Sequence, residues 1–142
     1  MAAYARLGAA ALLAVCLTGG VASAQTQPVQ RGEVLGNWTL RMTPAEGGNG
    51  NVTIRSDNGR LDMPMTVTAQ GPSGIACLVD GETADCQLRR GQLVVALPVD
   101  GARMTFTLTA RRSAGFTGEA RIRMPLLPFG SMHLGTVAMT RR

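Results

Sequence analysis

The chain has 142 residues, of which 45% are hydrophobic and 16% charged, and its mean hydropathy is +0.10. This composition is typical of a globular protein and excludes a disordered or fibrous chain, while the length favours a single domain. With 18 glycines, seven prolines and only 4% aromatic residues, the chain is expected to contain many turns rather than a few long helices. The 14 basic residues are all arginine and outnumber nine acidic residues, so the formal net charge at pH 7 is +5.

Residues 1–24 are predicted to be a secretory signal peptide. The positively charged Arg6 is followed by an apolar run from Leu7 to Leu17 and then by the small residues at positions 22–24. A membrane-spanning helix needs about 20 apolar residues, so we expect cleavage after position 24 and no transmembrane span. The protein would then be periplasmic or secreted, with a polar N-terminal lead at residues 25–35.

In the remaining domain, residues 36–142, apolar and polar residues alternate with a period of two, which is typical of half-buried antiparallel strands. The predicted strands lie at about 36–43, 51–57, 61–69, 75–79, 83–88, 92–99, 103–111, 116–124 and 132–140. Asn58-Gly59 is a strong hairpin signal, and a turn is also predicted at Asp100-Gly101. Pro64, within the third predicted strand, indicates a sheet edge or a bulge.

A meander of eight or nine short strands must bury its apolar faces together. The sequence therefore predicts an all-β protein, a small antiparallel up-and-down β-barrel of about eight strands, because closing the sheet removes its exposed edges. A β-sandwich is the alternative. An outer-membrane barrel is excluded, since the outward positions carry arginine and threonine and aromatic residues are scarce.

Removal of the leader leaves two cysteines, Cys77 and Cys86, in a chain expected to reach a compartment where disulfides persist. A two-residue turn at Gly81-Glu82 would place Cys77 directly opposite Cys86. The two would form a non-hydrogen-bonded pair, whose Cα atoms lie about 4.5 Å apart and within disulfide range. We predict a structural bridge rather than a redox pair.

Gly36 and Trp38, at the start of the first predicted strand, resemble the Gly-x-Trp signature of the calycin barrels, which include lipocalins, avidins and small bacterial metalloprotease inhibitors. The closing Arg141 or Arg142 fits the same resemblance, which covers residues 36–142. It implies a structural role at one end of the barrel for Gly36, Trp38 and Arg141, with the basic residue packed over the tryptophan ring. Biotin binding is not implied, because the avidin pocket is rich in tryptophan and this chain has one.

The predicted barrel offers two candidate binding regions. An outward arginine face on two neighbouring strands suits sulfate, phosphate or acidic polysaccharide, with a solvated polar surface as the alternative. Its four members are Arg103, Arg111, Arg121 and Arg123. The second region is the interior, where methionines either surround an apolar ligand or fill the space. These methionines are Met42, Met63, Met65, Met104 and Met124. A ligand would enter between loops 44–50 and 125–130.

The sequence contains no pattern that specifies a reaction. His133 is the only histidine, and no cluster of His, Cys and carboxylate residues has the spacing of a metal or catalytic site. Asp80, Glu82 and Asp85 would offer oxygen ligands to a hard cation, but a solvated turn is the simpler interpretation. We predict a protein that is not an enzyme and has no catalytic residues, no cofactor and no metal site.

Three functional hypotheses remain. The first is an exported calycin-like binding protein whose ligand the sequence does not identify, a small apolar molecule being one candidate. The second is a protease inhibitor or interaction module, in which the lead would reach into the cleft of an extracellular protease. The third is an envelope-associated structural protein that docks on anionic surfaces through its arginine face. Export makes nucleic acid an unexpected partner.

Overall fold

In the computed structural model, which describes residues 27–46, 61–126, 128 and 130–142, the chain forms a closed barrel of eight antiparallel strands. The strands are β1 (Gly36–Pro44), β2 (Asp62–Gln70), β3 (Gly74–Val79), β4 (Glu82–Arg89), β5 (Gln92–Val99), β6 (Ala102–Arg112), β7 (Gly115–Arg123) and β8 (Ser131–Arg141). Each strand pairs with the next along the chain, and β8 pairs with β1. The predicted up-and-down barrel is thus confirmed, and the sandwich alternative is wrong.

Strand positions follow the period-two pattern closely. Eight of the nine predicted strands match β1–β8 to within one residue at each end. The ninth, at 51–57, and the hairpin turn at Asn58-Gly59 lie outside the described residues. A helix of four residues, α1 (Arg31–Val34), precedes β1. Because one turn of helix is not stable by itself in water, packing against the barrel must hold α1 in place.

Pro64 lies neither at an edge nor in a bulge, contrary to the prediction. The barrel is closed, and the register between β1 and β2 is continuous through the pair Thr39 and Pro64. The carbonyl of Pro64 accepts a hydrogen bond of 2.8 Å from the backbone N–H of Asp80, which follows the end of β3. The ring nitrogen of Pro64 therefore faces Asp80, just beyond the end of β3. Its missing N–H removes no hydrogen bond between β2 and β3.

Side chains from all eight strands fill the barrel interior. The most deeply buried side chains belong to Trp38, Phe106, Leu40, Met65, Leu93, Leu108, Met139, Val34, Val67, Val95 and Val137. Such complete burial leaves no water-sized space beside them, and native packing of this kind is dense. For this part of the barrel, the structure favours the filled interior over an open one.

The two ends of the barrel are built from different connections. One end holds the start of β1, the end of β8 and the β2–β3, β4–β5 and β6–β7 turns; we call it the closed end. The opposite end holds the other four connections and is named the methionine end. Its methionines are Met42, Met63, Met104, Met124 and Met132.

Cys77 and Cys86 form a disulfide between β3 and β4, with their Cα atoms 6.0 Å apart. The predicted hairpin register is wrong, because Cys77 lies opposite Ala84. The turn is centred on Asp80-Gly81, whose φ angles of 53° and 81° match a type I′ turn. The bridge therefore runs diagonally across the hairpin, still within the usual range of disulfide Cα separations.

Candidate functional site

The described part of the N-terminal lead, residues 27–35, packs onto the closed end of the barrel. Val29 and Val34 are buried, and the backbone N–H of Val29 donates to the carbonyl of Gly91 in the β4–β5 turn at 2.8 Å. The guanidinium of Arg31 donates to two backbone carbonyls at the β2–β3 turn, at 2.9 and 3.0 Å. The lead is thus tied to two separate turns and covers this end of the core.

Trp38 and Arg141 lie at the centre of the closed end. The ring of Trp38 is 2% exposed, and its Nε1–H donates to the carbonyl of Val34 at 2.7 Å. The guanidinium of Arg141 lies 4.2 Å from the ring centre, at cation–π distance. It also donates to the carbonyls of Leu35 and Glu33, at 2.9 and 3.2 Å. One cation therefore joins β8, the lead and the tryptophan.

Gly36 lies directly against the side chain of Arg141. Its φ angle is 125°, and a Cβ at this position would lie 2.5 Å from Nη1 of Arg141. A larger residue would both strain the backbone and displace the guanidinium from Trp38. Arg142 was the alternative to Arg141 as the basic residue packed over the tryptophan. It is exposed, and its backbone N–H donates to the carbonyl of Asn37 at 3.1 Å.

The outer wall of β6 and β7 carries three of the four arginines of the predicted anion-binding face. Arg103 lies opposite Arg123, and Arg121 follows on the same face. Arg103 forms an ion pair with Asp85 at 2.7 Å, and Arg121 lies 3.5 Å from Glu119. Two of these three guanidiniums therefore already have carboxylate partners, which reduces their charge available to an external anion.

Arg111 lies apart from these three arginines. A β-bulge between Leu108 and Ala110 shifts the register of β6, so that Arg111 lies opposite Phe116 at the closed end. Its guanidinium forms an ion pair with Glu33 and donates to two further groups of the lead. The sequence prediction assumed uninterrupted alternation and therefore assigned Arg111 to the outer wall. The bulge turns its side chain toward the closed end instead.

An open depression of about 450 Å³ lies beside the β6–β7 turn at the closed end. Arg111, Arg112 and Arg141 contribute to its lining, together with the edges of Trp38 and Phe116. The two rings pack with their centres 5.7 Å apart. Glu33 also lines the depression and pairs with Arg111, so three arginines and one carboxylate adjoin the two aromatic rings.

Several apolar side chains at the methionine end are only partly buried, although Met42 and Met104 are buried. Of the ten partly buried hydrophobic residues that pack against the core in the described part of the chain, seven lie at this end. They are Leu61, Met63, Leu97, Val99, Ala102, Met124 and Met132. In the adjacent β7–β8 connection the side chain of Leu126 is 93% exposed. Flexible methionines suit a surface that adapts to an apolar partner.

The two loops of the predicted mouth both leave the barrel at the methionine end. Residues 47–50, 127 and 129 of these loops lie outside the described residues. Next to the β1–β2 connection, an open depression of about 490 Å³ is lined in part by Met42, Leu61, Arg41 and Asp62. Asp62 accepts two hydrogen bonds from Arg41, at 2.7 and 2.8 Å, and thereby raises the pKa of this guanidinium above its ordinary value.

The acidic residues near the disulfide hairpin do not converge on one point. Asp85 pairs with Arg103, while Asp80 and Glu82 are exposed. Across the part of the chain that the structure describes, no three His, Cys, Asp or Glu side chains are grouped to hold a metal ion. His133 lies on the outer surface, with its Nδ1 3.5 Å from the carboxylate of Glu119.

The contacts between the lead and the arginines of the closed end were not predicted from the sequence. A signal for it exists, because paired arginines occur at 89–90, 111–112 and 141–142. Each pair lies where a strand ends, and alternate connections of an up-and-down barrel share one end. The three pairs therefore had to meet at the same end as the lead.

Comparison of the chain with protein-family models, with curated proteins and with solved structures finds no match. Within the described ranges, no helix combines the length and hydropathy needed to span a membrane. The resemblance to calycins therefore rests on Gly36, Trp38 and the strand meander.

Proposed function

We propose that the protein is an exported, non-enzymatic, calycin-like binding protein that holds a small apolar ligand at its methionine end. The observation that carries this proposal is the difference in burial along the barrel axis. Side chains of the barrel middle are tightly packed, whereas seven of the described hydrophobic side chains at the methionine end remain partly exposed. Toward the closed end there are three, Leu35, Cys86 and Leu88. Burial of apolar surface drives ligand binding at such a site.

The charge near the methionine end narrows the chemistry of the ligand. Its connections carry four exposed carboxylates, at Glu46, Asp80, Glu82 and Asp100. Arg41 and Arg103 at this end are paired with Asp62 and Asp85. The four carboxylates therefore face only Arg123 among the described arginines and disfavour an anionic headgroup at the mouth. The proposed ligand is therefore an uncharged or cationic apolar molecule rather than a fatty acid.

The geometry gives less support to the inhibitor hypothesis. An inhibitory lead has to be available to a protease cleft, whereas residues 27–35 are hydrogen-bonded to the barrel and bury Val29 and Val34 against it. Release of residues 27–35 from the barrel would expose Val29, Val34 and the ring of Trp38 to water. The binding-protein hypothesis requires no such rearrangement.

The ligand site is tested by fluorescence titration with N-phenylnaphthylamine, an uncharged apolar dye. We expect saturable binding to the purified protein. The variant Met63→Gln/Met124→Gln keeps the side-chain length but makes two positions of the mouth polar, and should bind the dye at least about tenfold more weakly.

The matched control is Thr68→Gln/Thr136→Gln, which changes two exposed positions of the outer wall. It should bind the dye like the parent protein. Equal affinity of the parent and the methionine variant, or the absence of saturable binding, would contradict the proposed site.

A further inference from the structure

Charge is distributed unequally between the two ends of the barrel. At the closed end, the described side chains include seven arginines and one carboxylate, Glu33, which gives a formal net charge of +6. The arginines are Arg31, Arg89, Arg90, Arg111, Arg112, Arg141 and Arg142. At the opposite end Arg41 pairs with Asp62 and Arg103 with Asp85, which leaves the four exposed carboxylates of the connections against Arg123 among the described residues. The barrel therefore has an electric dipole along its axis.

Four of these seven arginines are available to an external partner. Arg31, Arg111 and Arg141 are engaged by carbonyls or by Glu33. The other four are exposed, and in the described part of the chain no hydrogen-bond or ion-pair partner contacts their guanidiniums. These four, called the arginine rim below, are Arg89, Arg90, Arg112 and Arg142.

The arginine rim is spread around the barrel end rather than along a line. Arg89 and Arg90 lie at the β4–β5 turn, Arg112 at the start of the β6–β7 turn, and Arg142 after β8. Guanidiniums from three separate sectors of one barrel end match a planar array of anions better than a single linear polymer. The arrangement thus favours a surface as the partner.

The large hydrophobic side chains that are exposed in the described residues lie elsewhere. Leu78 is the penultimate residue of β3, and Leu126 lies in the β7–β8 connection. Both are toward the methionine end. A partner of the closed end is therefore bound through charge rather than by insertion of apolar side chains. Guanidinium groups bind phosphate oxygens in a bidentate manner, which suits lipid headgroups.

From these observations we propose that the closed end docks on a bilayer that contains anionic phospholipid, through the arginine rim. The acidic turns at the far end are repelled by the same surface, so the methionine end points away from the membrane. The chain also enters the barrel at this end through Gln27, two residues after the N-terminus expected from leader cleavage. Docking is independent of the apolar ligand site and leaves that site accessible.

The test is co-sedimentation of the purified protein with phosphatidylcholine vesicles that contain or lack phosphatidylglycerol. We expect binding only when phosphatidylglycerol is present, and weaker binding as salt is added. The variant Arg89→Gln/Arg90→Gln/Arg112→Gln should bind about 100-fold more weakly at low ionic strength. The single variant Arg112→Gln should lose about fivefold, which keeps the test valid if the triple variant does not fold.

The matched control, Arg103→Gln/Arg121→Gln/Arg123→Gln, removes the same charge from the outer wall and should lose less than about tenfold in affinity. Equal losses in the two triple variants, a larger loss in the wall variant, or no binding to anionic vesicles would overturn the proposal. Stronger binding to soluble dextran sulfate than to the vesicles would also overturn it. The rim variant should still bind N-phenylnaphthylamine, so failure of docking is distinguishable from failure of the ligand site.

Discussion

Arg141 stacks on Trp38 and donates to two carbonyls of the lead, so one side chain links three parts of the closed end. Such contacts need the planar guanidinium and not only its charge. The Gly-x-Trp spacing brings Gly36 under the same group. These three residues therefore form a structural unit that fixes the lead to the barrel.

We predict that Arg141→Gln lowers the free energy of unfolding by about 1 kcal/mol, because it removes the cation–π contact and two charge-assisted hydrogen bonds at a partly solvated site. Arg141→Lys should recover only a small part of this loss. Denaturant unfolding followed by circular dichroism measures both values.

The control is Arg142→Gln, which removes the same charge from the neighbouring residue. Because Arg142 contributes a backbone rather than a side-chain contact, its stability should stay within about 0.5 kcal/mol of the parent. Equal losses at 141 and 142 would mean that charge alone, and not the contact with Trp38, stabilises this end.

Gly118 in β7 has a steric role that composition does not reveal. A Cβ at this position would overlap the carbonyl oxygen of Thr107 on β6, close to the β-bulge. We predict that Gly118→Ala destabilises the barrel by about 3 kcal/mol, since two backbones must move apart. Thermal unfolding measures the effect. Gly32→Ala, where a Cβ meets nothing, should leave stability unchanged or slightly raised, and comparable losses at both positions would refute the steric explanation.

Among the elements, the β3–β4 hairpin shows how far turn chemistry can be predicted. The disulfide was predicted from two cysteines in a chain expected to be exported, and it forms. The register failed because the turn was assigned to Gly81-Glu82, although Asp80-Gly81 is the pair that favours positive φ at both positions. Asp100-Gly101, the same dipeptide in the β5–β6 turn, was assigned correctly.

We predict that Cys77→Ala/Cys86→Ala lowers the free energy of unfolding by about 3 kcal/mol, as expected for closure of a loop with a sequence separation of nine residues. Reduction of the parent protein with dithiothreitol should lower stability by a similar amount. Urea unfolding of the oxidised, reduced and substituted proteins provides the measurement. If the oxidised parent and the alanine variant unfold at the same urea concentration, the bridge does not stabilise the barrel.

The lead forms no strand, but it is part of the packed structure of the barrel. Val34 is completely buried and its carbonyl accepts the indole N–H of Trp38. We predict that Val34→Asp destabilises the protein by about 3 kcal/mol or more, because it places a charge in an apolar site. The fluorescence of Trp38 should shift to longer wavelength as water reaches the ring.

Gly32→Asp is the control for this prediction, since it adds the same charge at an exposed position of the same segment. It should change neither stability nor the emission of Trp38. An unchanged spectrum in Val34→Asp would show that the lead does not cover the tryptophan in solution.

For the whole molecule, strand order and barrel closure could be predicted because alternation with a period of two specifies which face is buried. The ends could not be predicted in the same way. The bulge at Leu108 and Ala110 reverses the direction of Arg111 without a sequence signal. The lead joins the barrel through backbone carbonyls and through the ion pair of Glu33 with Arg111. The paired arginines indicate the end at which they meet, but not these partners. The candidate binding surfaces lie at these ends, so they were the least predictable part of the fold.

The two ends also separate two proposed functions. Partly buried methionines at one end suit an apolar ligand, and free arginines at the other suit an anionic surface. The filled interior between them means that a ligand at the methionine end does not contact Trp38. Binding at one end is therefore expected to leave the other unchanged.

Native mass spectrometry of the protein, purified from its host without refolding, tests the central claim most directly. A bound ligand should appear as mass that is present under native conditions and lost on denaturation. The remaining polypeptide should match residues 25–142 less two hydrogens. The variant Met63→Gln/Met124→Gln, prepared in the same way, should carry little or none of the added mass. Identical polypeptide masses before and after denaturation of the parent protein, together with no uptake of added apolar dye, would contradict the account.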